Sequence, residues 1–102
     1  MSQQPSEGVS VLVAMYNGSR FIVEQLESIL AEVSIEDEII ILDDRSPDDS
    51  YAIAKAMESR HPRLQVHRNA HNLGVVKTFE ALLARATKNI IFLSDQDDIW
   101  VA

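Results

Sequence analysis

The chain has 102 residues, 46% of them hydrophobic and 25% charged, enough for a single domain with a modest core. Its net charge of −7 argues against nucleic acid as a partner, because phosphate binding needs a basic face. The absence of cysteine excludes disulfides, thiolate catalysis and zinc–sulfur sites, and no apolar stretch approaches the roughly 18 residues of a membrane span.

Residues 1–8 are polar and read as a flexible N-terminus without the basic and apolar regions of a signal peptide, so a cytoplasmic location is expected. Val9–Ala14 is a β-branched apolar run and predicts the first strand. Tyr16-Asn17-Gly18-Ser19 is turn chemistry. Ile22, Leu26, Ile29, Leu30 and Val33 then fall on one face of a helix. Glu38–Leu42 predicts the second strand. In Ser46-Pro47-Asp48-Asp49, Ser46 reads as a helix cap, Pro47 fits the first helical position and Asp49 stands where a capping-box acid would. That helix carries Ile53, Ala54 and Met57 and should stop before Pro62. Leu64–His67 alternates and predicts a short third strand. A loop, Asn72-Leu73-Gly74, precedes a third helix whose face is marked by Val76, Phe79, Leu83 and Ala86. Ile90–Leu93, four apolar residues in a row, reads as a fourth strand buried on both faces.

Strands alternating with helices predict an α/β fold with a parallel sheet, right-handed crossovers and helices on both faces. The expected strand order is 3-2-1-4, with the first strand central. Ligands of such sheets bind beyond the carboxyl ends of the strands, where the strand order reverses. The loops to inspect are therefore those after the first, second and fourth strands. Three glycines cannot build a G-x-G-x-x-G or Walker loop, which removes the usual dinucleotide and P-loop readings.

After the fourth strand comes Ser94-Asp95-Gln96-Asp97-Asp98-Ile99-Trp100. Clustered carboxylates raise one another's pKa and cost stability unless a cation sits among them. Oxygen-only ligands suit Mg²⁺ or Mn²⁺ bridging to substrate phosphates, whereas a lone Asp here would only cap a following helix. Asp43-Asp44 can accept hydrogen bonds from a ribose or base edge, or can simply shape the turn into Ser46. Tyr16 either stacks on a nucleobase or packs against the first helix. Lys77 stands in the first turn of the third helix, where it meets a diphosphate or remains a solvated lysine; Arg45, Arg68 and Arg20 are weaker candidates for the same task. His61, His67 and His71 lack metal-ligand spacing, and Trp100 reads as a core or edge anchor.

Four blocks in order, Val9-Ser10-Val11-Leu12-Val13-Ala14-Met15-Tyr16-Asn17, Ile41-Leu42-Asp43-Asp44-Arg45-Ser46-Pro47-Asp48, Asn72-Leu73-Gly74 and Ser94–Trp100, resemble the inverting glycosyltransferases of family 2, of GT-A fold, and look most like rhamnosyltransferase-type members. The resemblance implies a sugar transferase of bacterial surface polysaccharide synthesis, acting on a nucleotide-diphosphate sugar and a saccharide or lipid-linked acceptor, in the cytoplasm or peripherally at the inner face of the membrane. It places the base and ribose on the segment after the first strand, with Ala14, Tyr16 and Asn17, and on Asp44, makes Lys77, Asp95 and Gln96 further substrate-binding residues, and puts Mg²⁺ or Mn²⁺ on Asp97 and Asp95. Two departures stand out: the first-strand block lacks the frequent proline, and Phe79 occupies a place where many members carry arginine. The resemblance also places the acceptor site and the general base beyond Ala102, so residues 9–102 read as the donor-binding half of a truncated enzyme. That half should be inactive alone and prone to self-association through an uncovered edge. A non-catalytic nucleotide- or metal-binding module is the alternative reading; a phosphate-accepting signalling domain would need acidic residues where Tyr16-Asn17 stands.

Overall fold

The computed structural model describes residues 8–88 and 90–95. Seven elements run β1 (Val9–Met15), α1 (Ile22–Glu32), β2 (Glu38–Asp43), α2 (Ser50–Glu58), β3 (Leu64–Arg68), α3 (Val75–Arg85) and β4 (Ile90–Asp95). The strands form one parallel sheet in the order β3-β2-β1-β4, the order predicted from the sequence. The crossover helices divide between the two faces. On one face Ile22, Leu26 and Ile29 of α1 and Ala54 and Met57 of α2 pack on Val11, Val13, Met15, Ile39 and Ile41. On the other, Leu82 of α3 covers Leu12, Ala14, Ile40 and Leu42. Alternate residues of β1 and β2 thus feed two cores, which is why both strands read as continuous apolar runs.

Three local expectations are corrected. Ser46 does not cap α2, which starts at Ser50 with Asp49 at the N-cap and no side-chain cap bond. The Ser46 hydroxyl donates instead to the Asp43 carboxylate and accepts from the Asn17 N–H at 2.8 Å, so it is spent on joining two loops. The buried face of α3 is Thr78 and Leu82, with Phe79 and Ala86 partly buried beside it, while Val76 and Leu83 are exposed. Thr78 is drawn inward by hydrogen bonds, and this turns the helix away from its apparent apolar stripe. Finally, β4 is not buried on both faces. Ile90, Ile91, Phe92 and Leu93 are 38–56% exposed, because β4 is the sheet edge and α3 packs on β1 and β2. Apolar surface is therefore open along this edge.

The amino-terminal end of the sheet is tied by one buried carboxylate. Glu38 accepts from the Ser10 hydroxyl (2.6 Å), the Thr87 N–H (2.7 Å) and the Thr87 hydroxyl (3.0 Å). The Ser10 hydroxyl oxygen accepts in turn from the Lys88 N–H at 3.1 Å. This network anchors the segment between α3 and β4 and so seats β4 against β1.

The core reading sets a contrast for mutation. Leu26 is fully buried whereas Ile35 is 86% exposed. Leu26→Ala should cost about 2–5 kcal/mol in urea unfolding, through lost transfer energy and a residual cavity. Ile35→Ala should stay within about 0.5 kcal/mol. Equal shifts in the two variants would contradict the described core.

Candidate functional site

The parallel register brings the carboxyl ends of the strands to one edge. Ala14 lies between Leu42 and Asp95 in the sheet, and Met15 pairs with Asp43. Tight bonds continue the ladder past the strands: the Asp44 N–H donates to the Met15 carbonyl and the Asn69 N–H to the Asp43 carbonyl, both at 2.8 Å. The loops after β1 and β2 and the end of β4 therefore share an edge, as the sequence predicts for the nucleotide-facing segments. Gln96, Asp97, Asp98 and Trp100 lie outside the described residues, and Asp95 is placed as the last residue of β4.

Two consecutive carboxylates close β2, and both are buried. Asp43 accepts from the Ser46 N–H at 3.0 Å, from the Ser46 hydroxyl and from Arg68 Nε at 3.2 Å. The Arg68 guanidinium also stands 4.7 Å from the centre of the Tyr51 ring. Asp43 thus takes the turn-shaping role. Asp44 faces the other way. Its Oδ1 accepts from Asn69 Nδ2 (2.8 Å) and the Leu73 N–H (2.7 Å), and its Oδ2 accepts from the Gly74 N–H (2.8 Å). The Thr78 hydroxyl also hydrogen-bonds this carboxylate. Burial pushes the Asp44 carboxyl up, but these four donors outweigh it and hold the group below its ordinary value.

The loop after β1 is bolted to the loop after β2. The Gly18 N–H donates to the Ser50 hydroxyl oxygen at 2.7 Å and the Ser19 N–H to Asp48 at 3.1 Å. Asp48 also accepts the Ser50 N–H at 3.0 Å and the Ser50 hydroxyl. Burial again raises and hydrogen bonds again lower, leaving the Asp48 carboxyl at about 2. Two non-glycine residues on this edge hold left-handed backbone, Asn17 at φ 59° and Arg45 at φ 64°. Such conformations cost of order 1–3 kcal/mol each and persist where neighbouring bonds impose them. Arg45 Nε is secured by the carbonyls of Asn69 (2.8 Å) and Ala70 (3.1 Å).

Among the other expected residues, Tyr16 is 45% exposed at the end of β1, so it is not buried against α1. Asn17 is exposed beside it, and Ala14 is buried within the sheet. Lys77 is exposed in the first turn of α3, on the segment that Asp44 holds. Sequence reasoning missed Asn69 and Thr78, whose side chains meet at 3.1 Å under Asp44, and Gln25, which reaches Ser94 of β4 at 3.1 Å from within α1. A polar residue inside an apolar stripe was the available signal for Gln25 and Thr78; Asn69 offered none. Among the described residues no three His, Asp or Glu side chains group as a metal site. No described helix is long and apolar enough to cross a membrane.

Comparison with known proteins identifies the lineage. The family model described as "Glycosyl transferase family 2" matches residues 10–101, and the chain belongs to that family. It is 32% identical over 86% of its length to the dTDP-rhamnosyl transferase RfbG of Shigella flexneri, covering 32% of that protein. It is 28% identical over 92% of its length to an Escherichia coli UDP-Glc:α-D-GlcNAc-diphosphoundecaprenol β-1,3-glucosyltransferase, WfgD, covering 36% of it. The mannosyltransferase PcManGT of Pyrobaculum calidifontis, solved with GDP-Man and Mn²⁺, superposes with a TM-score of 0.86 at 25% identity, over 99% of this chain and 30% of that one. The fold is thus GT-A, and the chain spans about a third of the length of the relatives it matches.

The lowered carboxyls make a pH prediction. Asp44, Asp48 and Glu38 all lie below their ordinary values of 3.8 and 4.5. Their ionised forms therefore contribute stability that is complete above those ordinary values and is lost as pH falls through the folded ones. Below about pH 5 the urea midpoint should fall steadily toward pH 2, with Asp48→Asn flattening part of the fall. A level midpoint down to pH 2.5 would contradict the hydrogen-bonded carboxylates.

Proposed function

We propose that this chain is the donor-binding part of an inverting sugar transferase. It holds a nucleotide-diphosphate sugar at the carboxyl edge of the sheet, for transfer to a saccharide or lipid-linked acceptor in bacterial surface polysaccharide synthesis. The observation that carries this reading is the convergence of Asn17, Asp44 and the end of β4 on one edge, through the pairings of Ala14 with Leu42 and Asp95. Likeness to a structure solved with GDP-Man and Mn²⁺, and to relatives named for dTDP-rhamnose and UDP-glucose, supports a nucleotide sugar as the ligand.

In this reading Tyr16 offers a ring face to the base, and Asn17 and Asp44 hold the nucleoside. Lys77, exposed on α3, meets the diphosphate, and Asp95 and Gln96 complete the substrate-binding set. Asp97 and Asp95 hold Mg²⁺ or Mn²⁺, which when bound neutralises the leaving diphosphate. The general base and the acceptor site belong to further chain, as an inverting displacement needs a base at the acceptor hydroxyl. The enzyme works in the cytoplasm or peripherally at the inner membrane face.

Titration calorimetry with UDP, GDP and dTDP checks this reading. Binding of at least one should require Mn²⁺ or Mg²⁺. Asp97→Ala should weaken it by at least about tenfold, or ~1.4 kcal/mol. Asp44→Ala should weaken it with the metal dependence retained. Equal affinity with excess chelator would count against a bridging ion. Sugar transfer by the 102-residue chain alone would refute the division of labour.

A further inference from the structure

Beneath the edge lies a polar network that the nucleotide reading does not use. Asn69, 8% exposed, follows β3 and engages neighbours through its N–H, its carbonyl and its side-chain NH₂. Its N–H donates to the Asp43 carbonyl at 2.8 Å and its carbonyl accepts from Arg45 Nε at 2.8 Å. Its Nδ2 donates to Asp44 Oδ1 at 2.8 Å and to Thr78 Oγ1 at 3.1 Å. A carboxylate neighbour settles the amide orientation, since only the NH₂ side can face it. Thr78 is fully buried in the first turn of α3, and its hydroxyl passes the bond on to Asp44. Asp44 in turn holds the Leu73 and Gly74 N–H groups, at 2.7 and 2.8 Å. Asn72 Nδ2 closes the loop on the Asp44 carbonyl at 3.0 Å.

Resting on the nucleotide-sugar reading above, we propose that Asn69 and Thr78 are positioning residues for nucleotide recognition. They fix the rotamer of Asp44, and through it the Asn72–Gly74 turn and the start of α3, at the place where the nucleoside diphosphate docks. The geometry supports this over simple packing. Donors from three separate segments converge on the Asp44 carboxylate. The carboxylate therefore has one orientation, and the turn has one position relative to β2. Removing the Thr78 hydroxyl leaves Asp44 and its charge in place but frees one acceptor site and loosens the link to α3. A site held within about 0.5 Å binds through supporting contacts of this kind.

The test compares Thr78→Val, Thr78→Ser and Ser10→Ala with the parent chain. Ser10 is an equally buried hydroxyl bonded to a carboxylate, but at the opposite end of the sheet. Calorimetry with UDP, GDP or dTDP plus Mn²⁺ gives Kd, thermal unfolding gives Tm, and amide NMR follows Leu73 and Gly74. Thr78→Val should raise Kd about tenfold, whereas Thr78→Ser, which keeps the hydroxyl, stays within about threefold. Ser10→Ala should lower Tm comparably and leave Kd unchanged. In the parent, adding nucleotide should move the Leu73 and Gly74 amide signals and leave those of Thr87 and Lys88 in place. If Thr78→Val binds like the parent, or Ser10→Ala weakens binding as much, the network is architecture alone and the inference is overturned. Should Thr78→Val fail to fold, unmoved Leu73 and Gly74 signals in the nucleotide-bound parent overturn it equally. No binding of any nucleotide by the parent overturns the nucleotide reading itself, and this inference with it.

Discussion

Two adjacent carboxylates at the end of β2 impose the order of the whole carboxyl edge. Asp43 is fully buried and Asp44 is 5% exposed. A buried carboxylate without hydrogen bonds costs far more than a small domain can offset, so each must be met by donors. Asp43 is the last residue of β2 and Asp44 the next along the chain, and the two side chains meet different sets of donors. One therefore recruits donors from Ser46 and Arg68, and the other from Asn69, Leu73, Gly74 and Thr78. Satisfying the pair draws together β3, the turn into α2 and the turn into α3. Arg45, directly after the pair, takes left-handed backbone because the chain must turn back so that Ser46 can reach Asp43.

The same device works at the other end of the sheet with a different outcome. Glu38 opens β2 as Asp43 closes it, and it gathers Ser10 and Thr87. Ser10 belongs to β1 and Thr87 lies between α3 and β4, so Glu38 governs where β4 lies rather than what a loop presents. β2 thus carries a carboxylate at each end. The amino-terminal one seats the edge strand that delivers Asp95 beside Ala14. The carboxyl-terminal pair shapes the loops facing it. The apolar middle of the strand, Ile39 to Leu42, supplies the burial that makes both ends demanding.

The fold was legible because strands of a parallel sheet are written in contiguous apolar runs. Val9–Ala14, Glu38–Leu42 and Ile90–Leu93 could only be strands, and helical spacing between them dictated crossovers. What could not be read was where polar side chains reach across the fold. Ser46 has the right local context for a cap, yet a carboxylate three residues earlier and an N–H 29 positions away compete for its hydroxyl and win. Val76 and Leu83 look like a helix face until Thr78 is pulled inward by Asn69. Asn69 lies in an unremarkable Arg-Asn-Ala-His stretch, and its partners are 9 and 25 residues distant, a separation that leaves no periodic trace. The fourth strand was read as buried from its composition although the predicted order already put it at the sheet edge; that α3 covers β1 and β2 and leaves it exposed is a property of packing that four letters cannot carry.

An anionic ligand on an acidic protein poses an electrostatic question, and the internal donors answer part of it. A net charge of −7 would repel a diphosphate if it were concentrated on the docking edge. Yet Asp43 faces the Arg68 guanidinium, and Asp44 and Asp48 are wrapped in N–H and O–H dipoles that orient toward them. Their negative charge is directed inward and balanced locally. The exposed charges on the same edge include Arg45 and Lys77, both cationic. In the proposed reading the acidic groups that meet the ligand are Asp95 and Asp97, through a divalent ion. On that reading the charge is divided: Asp43 and Asp48 serve the loops, and Asp95 and Asp97 serve the metal. On that reading an acidic chain can hold a nucleoside diphosphate, because much of the negative charge near the edge is already met by internal donors.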